Sequence, residues 1–161
     1  KGKWTARLRL SSNGEKSMFP AWWLLGAQNN ESPVQEANEN ICWPLKGSGE
    51  IDIFEHHGDG DKDHFTTGAI KNLGNCDKGD WWTLRKGFDV TLNEYHEYSV
   101  EWEGSDLVYS VDGKEIYRNV GEGDKYREKM FAILNFAKIT DSPMKDEWVM
   151  EVDWVKHEAR K

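Results

Sequence analysis

The chain has 161 residues, with 21 Lys or Arg and 29 Asp or Glu, so its formal net charge is −8. This length suits one domain with a sizeable core, and we expect residues 1–161 to form a single domain. An acidic surface repels phosphate backbones, which argues against nucleic acid as a partner. No apolar run approaches the ~18 residues of a membrane-spanning helix, so we expect no membrane partner. The nine Trp residues exceed what the core needs and favour a groove for flat, partly apolar ligands.

Alternation of apolar and polar residues, the pattern of a half-buried β-strand, dominates the chain. It opens the sequence at 3–11 and is equally clear at 94–103 and 147–157. The pair Asp112-Gly113 follows an alternating segment and predicts a two-residue hairpin turn. These segments predict strands joined by short connections.

Three further segments complete the predicted architecture. The apolar run 130–139 predicts a central strand, whereas 26–47 and 72–87 predict long loops. No segment has the periodicity of a three-turn amphipathic helix. Short strands separated by polar loops indicate an all-β sandwich or barrel of antiparallel strands.

The chain contains two cysteines, Cys42 and Cys76, whose spacing matches no metal site. In a secreted protein the two could pair in a disulfide bond; the alternative is a pair of buried free thiols. The sequence leaves both open.

Three acidic residues, Glu50, Asp52 and Glu55, lie within six positions of a strand-like segment. On a regular strand Glu50 and Asp52 share one face and Glu55 points away, but one extra residue, a β-bulge, returns Glu55 to that face. Crowding then makes at least one of the three hold a proton near neutral pH. This suits a division into nucleophile, proton-sharing helper and general acid/base. The alternative is a solvated strand face, but the apolar residues between the acids indicate a packed strand.

Five segments of the chain resemble glycoside hydrolase family 16, in its laminarinase-like (endo-β-1,3-glucanase) branch. The acidic segment resembles the Glu-x-Asp-x-x-Glu signature in its bulged version. The other four segments resemble, in chain order, further strands of the family: KGKWTARLRL, FPAWWLLG, FAILNFA and MEVDWVKHE. Together they cover nearly the whole chain.

The resemblance implies a jelly-roll sandwich of two antiparallel β-sheets with a substrate cleft on the concave face. It implies a secreted, retaining endo-β-glycanase that needs no cofactor for catalysis. The pair Trp43-Pro44 favours β-1,3-glucan, with mixed-linkage β-1,3-1,4-glucan beside it. One alternative is a β-galactan hydrolase of the same family, of the agarase, carrageenase or endo-β-galactosidase type. The other, a non-catalytic carbohydrate-binding jelly roll, is disfavoured by the presence of all three acids.

The resemblance also implies roles for individual residues. Glu50 matches the nucleophile, Asp52 the helper and Glu55 the general acid/base.

Outside this group, Trp43 matches a sugar-stacking residue, and Trp23 an aromatic residue beneath the cleft. Arg7 and Asn135 match cleft residues that hydrogen-bond sugars. The alternatives are a solvated strand-face arginine at Arg7 and a core amide bonded to backbone at Asn135. Asp153 matches a structural calcium ligand on the convex face.

The family normally has several strands before the segment that opens this chain. We therefore expect preceding strands, from the same polypeptide or from another chain, to pair beside residues 3–11. We also expect the 161-residue chain alone to be unstable or to form oligomers, because unpaired strand edges are costly.

Overall fold

The computed structural model describes residues 1–11, 17–31, 44–57, 61–72, 81–141, 143 and 147–160, with the backbone alone at 30, 31 and 81–83. No helix in these ranges is long and apolar enough to cross a membrane. Within the same ranges, one 3₁₀ turn, Gly123–Lys125, precedes the strand Met130–Lys138. The elements are β1 (Gly2–Ser11), β2 (Met18–Gly26), α1 (Gln28–Glu31), β3 (Gly49–Glu55), β4 (His64–Asn72), β5 (Trp81–Asp89), β6 (His96–Glu103), β7 (Asp106–Val111), β8 (Lys114–Asn119), β9 (Met130–Lys138) and β10 (Val149–Ala159).

The strands form two five-stranded antiparallel sheets. The first sheet has the order β10-β1-β6-β7-β8 and the second has the order β5-β4-β3-β2-β9. The central strands, β6 and β3, pack against each other across the interior. This arrangement confirms the predicted all-β jelly-roll sandwich.

The inward faces of both sheets form one hydrophobic core, and the central strand β3 is fixed by it. The ring of Phe54 lies 4.6 Å from that of Tyr98 on the opposite sheet and 5.5 Å from that of Phe65. Full burial of such a side chain contributes about 1.5–3 kcal/mol. Because the apolar side chains of β3 point inward, its acidic side chains lie on the outer face of the second sheet. The largest buried side chains include Leu8, Leu10, Trp22, Leu24, Ile51, Ile53, Phe54, Phe65, Tyr98 and Tyr109.

The hairpin between β7 and β8 has the predicted turn. Asp112 and Gly113 have φ angles of 51° and 76°, as a type I′ turn requires at both central positions. A positive φ is costly for most residues but accessible to Asp and Gly, which explains this pair. The strand prediction at 94–103 is confirmed by β6.

The expectation for the edges of β1 is wrong. This strand pairs with β10 on one side and with β6 on the other, so segments from later in the same chain satisfy both of its edges. A preceding strand therefore has no free edge beside residues 3–11.

Two other expectations also need correction. The strand at 130–139 is not central: β9 pairs with β2 on one side, and no described strand pairs with its other side. Most of its side chains are accordingly only half-buried. The predicted loop at 72–87 ends earlier than expected, because β5 begins at Trp81 and pairs with β4 along nine residues.

Candidate active site

A β-bulge in β3 brings the three acidic residues to one face, as the sequence predicts. Glu50 pairs with Ile70 of β4, and Asp52 pairs with Gly68. Glu55 pairs with Thr66, so three steps along β3 from Asp52 correspond to only two steps along β4. The extra residue shifts the alternation by one position and places Glu55 beside the other two acids.

The three carboxyl groups lie close together and are shielded from water. Oxygen atoms of Glu50, Asp52 and Glu55 lie within 4.8 Å of one another. The side chains are 7%, 1% and 4% exposed, respectively. Such burial penalises the ionised forms, so the group requires either protons or a compensating cation.

Arg85 on β5 supplies this cation. Its Nη2 atom lies 3.1 Å from Oδ2 of Asp52, 3.0 Å from Oε2 of Glu55 and 3.7 Å from Oε1 of Glu50. Sequence reasoning missed this residue, because Arg85 is about thirty positions from the acids and falls in a segment predicted to be a loop. The alternation of strand β5 was the available signal. The oxygens are near enough to hold a metal ion, but the guanidinium occupies that position, so the group does not fit a metal site.

Burial and mutual repulsion alter the acidity of two of these residues. Burial raises the pKa of Asp52 well above its usual range, and the neighbouring charges of Glu50 and Glu55 add to this effect. Burial likewise raises the pKa of Glu55 from 4.5 to about 7, although the charge of Arg85 opposes the increase. The raised pKa of Glu55 is that of a group able to donate and accept a proton near neutral pH.

The contact between Asp52 and Glu50 also favours the protonated form of Asp52. A hydrogen bond links the side chains of Glu50 and Asp52 and raises the pKa of Asp52. Two carboxyl groups form such a bond only when one of them is protonated, because ionised carboxylates are acceptors only. Asp52 is therefore the donor and Glu50 the acceptor. The arrangement places a protonated carboxyl beside a second carboxyl group.

Comparison with known proteins identifies the family. A family model described as glycosyl hydrolases family 16 matches residues 2–156. The chain belongs to glycosyl hydrolases family 16. This confirms the resemblance seen in the sequence.

The chain spans less than two thirds of the length of each of three relatives that it matches. A β-glucanase from Rhodothermus marinus is 30% identical over 120 residues, which are 73% of this chain and 37% of that protein. The clotting factor G alpha subunit of Tachypleus tridentatus is 27% identical over 149 residues, which are 84% of this chain and 18% of that protein. A LamA variant from Zobellia galactanivorans, solved with laminaritriose and laminaritetraose, matches with a TM-score of 0.74 and 27% identity. That match covers 97% of this chain and 64% of the solved one.

Two of the predicted sugar-binding residues of this family 16 chain lie beside the acids. Trp23 on β2 is the cross-strand neighbour of Asp52, and its indole Nε1 donates a hydrogen bond to Oδ1 of Asn135 at 2.6 Å. The amide oxygen of Asn135 on β9 is therefore bonded to a side chain. The alternative interpretation of Asn135, a core amide bonded to backbone, does not describe this contact. The structure brings both residues to the acidic face; their sugar contacts remain predictions.

Arg7 does not lie with them. It is in β1 of the first sheet and alternates with Ala6 and Leu8, which are in the core, so it lies on the outer face of that sheet. Its guanidinium binds Oδ2 of Asp153 at 2.5 Å and lies 4.5 Å from the centre of the Tyr95 ring. The structure thus places Arg7 on the opposite side of the sandwich from the acids, which contradicts its predicted place in the cleft.

The predicted calcium ligand Asp153 lies in an ion pair with Arg7, and its role toward calcium stays a prediction. Calcium takes six to eight oxygen ligands, typically from several carboxylates and carbonyls. Asp153 pairs with the Arg7 cation and joins no group of three acidic or histidine residues within the described part of the chain.

Three of the predicted residues lie outside the described part of the chain, so their roles remain predictions: Cys42, Trp43 and Cys76.

Proposed function

We propose that this chain carries the catalytic acids of a retaining endo-β-glycanase acting on β-1,3-glucan, with mixed-linkage β-1,3-1,4-glucan as a related substrate. The observation that carries the proposal is the group of three buried carboxyls with oxygens within 4.8 Å of one another. Retaining glycosidases separate their two carboxyl groups by about 5–5.5 Å, whereas inverting enzymes leave roughly 6.5–9.5 Å for a water molecule. The compact group favours retention.

In the first step of the proposed reaction, a carboxylate oxygen of Glu50 forms a bond to the anomeric carbon. The glycosidic carbon–oxygen bond breaks, and Glu55 gives its proton to the departing oxygen. In the second step a water oxygen attacks the same carbon and releases Glu50, while Glu55 takes a proton from that water. Both steps invert the anomeric carbon, so the product retains the original configuration.

The protonation pattern of the site supports this division of roles. Glu55, with a pKa raised to about 7, is available as an acid in the first step and as a base in the second. Asp52 holds its proton against Glu50 and so maintains the orientation of the nucleophile.

The choice of glucan rests on relatives. One relative is a β-glucanase, and a solved LamA variant holds laminaritriose and laminaritetraose. Because polymeric substrates are met outside the cell, we place the enzyme there as well. A panel of laminarin, lichenan, agarose and carrageenan tests the substrate, since oligosaccharides released from laminarin are expected and release only from the galactans would contradict the choice.

Two variants test the roles of the acids. Glu50→Ala removes the nucleophile, so we expect activity to fall by several orders of magnitude and azide to restore turnover with an inverted product. Glu55→Ala removes the acid, so an aryl glycoside with an activated leaving group should keep a partly active first step. The products are followed by NMR of the anomeric proton.

Glu94→Ala is the matched control, because Glu94 is an exposed glutamate in the loop before β6. It should retain wild-type activity. Wild-type activity in Glu50→Ala would refute the assignment of the nucleophile.

A further inference from the structure

A single nitrogen atom of Arg85 contacts all three acids of the proposed catalytic group. Neither the sequence pattern nor the family match assigns Arg85 a role. Nη2 is within 3.1 Å of both Asp52 and Glu55. The Arg85 side chain is 32% exposed while both carboxyl groups are nearly inaccessible. This is therefore an arginine reaching from the surface into a buried acidic group, which differs from an ordinary exposed ion pair.

The register of the second sheet explains how Arg85 reaches the acids. Asp52 of β3 pairs with Gly68 of β4, and Gly68 pairs with Arg85 of β5, so the three residues form one row across the sheet. Neighbouring strands lie about 4.8 Å apart, which separates the two charged residues by roughly 10 Å. Gly68 has no side chain, so the long arginine side chain crosses β4 unobstructed to reach the carboxyl of Asp52.

Strand β5 also lies unusually close to β4 at this glycine. A Cβ atom at position 68 would lie 2.0 Å from the carbonyl oxygen of Leu84. The backbone carbonyl of Gly68 accepts a hydrogen bond from the buried hydroxyl of Tyr109 at 2.7 Å. The strand between the acids and the arginine is thus held from the core side, and the position of Arg85 is set by the fold.

We propose that Arg85 is a positioning residue that holds Asp52 and Glu55 in the arrangement needed for the reaction and compensates the charge of the acidic group. The inference rests on the function proposed above. Without the guanidinium, the acidic group loses both the compensating charge and the contacts that fix the carboxyls of Asp52 and Glu55. Arg85 itself needs no contact with the substrate.

Among the described residues, few ionisable groups other than Arg85 lie near the three acids. The phenols of Tyr109 and Tyr126 are near Asp52, and burial raises the pKa of both, so they stay neutral across the range of the experiment. Lys86, the next residue after Arg85, lies over the ring of Phe88 instead. Changes in the titration of the acids on removal of Arg85 are therefore attributable to the arginine.

The test compares Arg85→Met with Arg85→Lys and with Arg9→Met. Arg9 is the matched control, because it is a strand arginine paired with Glu151 on the other sheet. An opposite charge nearby lowers a carboxyl pKa by about 1–3. In Arg85→Met, carbon-13 NMR of the labelled glutamate carboxyls should therefore show the pKa of Glu55 raised by at least about one. The alkaline limb of the activity profile should move by the same amount, with kcat reduced about ten-fold or more and KM little changed.

Arg85→Lys keeps the charge but not the planar fork. We expect Glu55 to titrate nearly as in the wild type while kcat still falls, which keeps the inference testable if Arg85→Met does not fold. An unchanged pKa of Glu55 in Arg85→Met, or wild-type kcat and titration in Arg85→Lys, would overturn the inference. If the wild type cleaves no glycan and yet the pKa of Glu55 rises in Arg85→Met, the role of Arg85 within the group holds and the proposed function fails.

Discussion

Replacing Glu55 with glutamine should make the protein more stable at alkaline pH, even though it removes the proposed acid. In the folded protein the pKa of Glu55 is raised from 4.5 to about 7, chiefly because the side chain is buried. The folded state therefore holds this proton more tightly than the unfolded chain. The resulting stabilisation is fully present below about pH 4.5 and is lost as the pH rises through 7.

The size of this effect follows from the two pKa values. Each pKa unit corresponds to about 1.4 kcal/mol, so the wild type should lose roughly 3 kcal/mol of unfolding free energy through Glu55 between acid and alkaline pH. Glutamine cannot ionise and lacks this loss. For a domain of this length, 1 kcal/mol moves the melting temperature by about 2–4 °C, so the two proteins should diverge by roughly 6–12 °C.

Urea unfolding of the wild type and Glu55→Gln from about pH 4 to pH 9 measures the difference. Glu94→Gln, which alters an exposed glutamate, should follow the wild type at every pH. Parallel curves for Glu55→Gln and the wild type would refute the reasoning, since they would mean that Glu55 titrates alike in both states.

Two further predictions follow from distances in the second sheet. In Gly68→Ala the new Cβ would lie 2.0 Å from the Leu84 carbonyl oxygen, so β5 must move and carry Arg85 with it. We expect the unfolding free energy measured with urea to fall by about 1–3 kcal/mol. An unchanged urea midpoint would contradict the close packing of β4 and β5. Trp23→Phe removes the donor to Asn135 and should cost about 1 kcal/mol of stability and raise KM more than it lowers kcat. A normal KM in that variant would place the pair outside the substrate site.

Features encoded by neighbouring residues were predictable from the sequence. The alternation in β1 and β6 and the Asp112-Gly113 turn are local, and the structure confirms them. The bulge in β3 was predictable because the spacing of its acids fits one face only with an extra residue. In each case the physical cause lies within a few positions of the chain.

Features that depend on the order of the strands within a sheet, or on which sheet a strand joins, were not predictable from local sequence. Arg85 joins the acids only because β5 is two strands from β3, a relation that neither segment encodes alone. Arg7 was placed in the cleft by its resemblance to a family residue, and its polar strand face would look the same on either sheet of the sandwich. The apolar β9 was expected at the centre of a sheet, although the described strands place it at an edge.

The bulge in β3 also determines how the site would respond to a change in chain length. Ile53 and Phe54 are consecutive and both belong to the core, which a regular strand does not allow. Deleting one of them would leave the three acids at alternate positions of a regular strand, so they would still share one face. The core would lose one buried apolar side chain. Deleting Ile51 would instead turn one acid into the apolar interior. We therefore expect the three acids to stay on one face of β3 after deletion of one residue between Asp52 and Glu55, but not after deletion of the residue between Glu50 and Asp52.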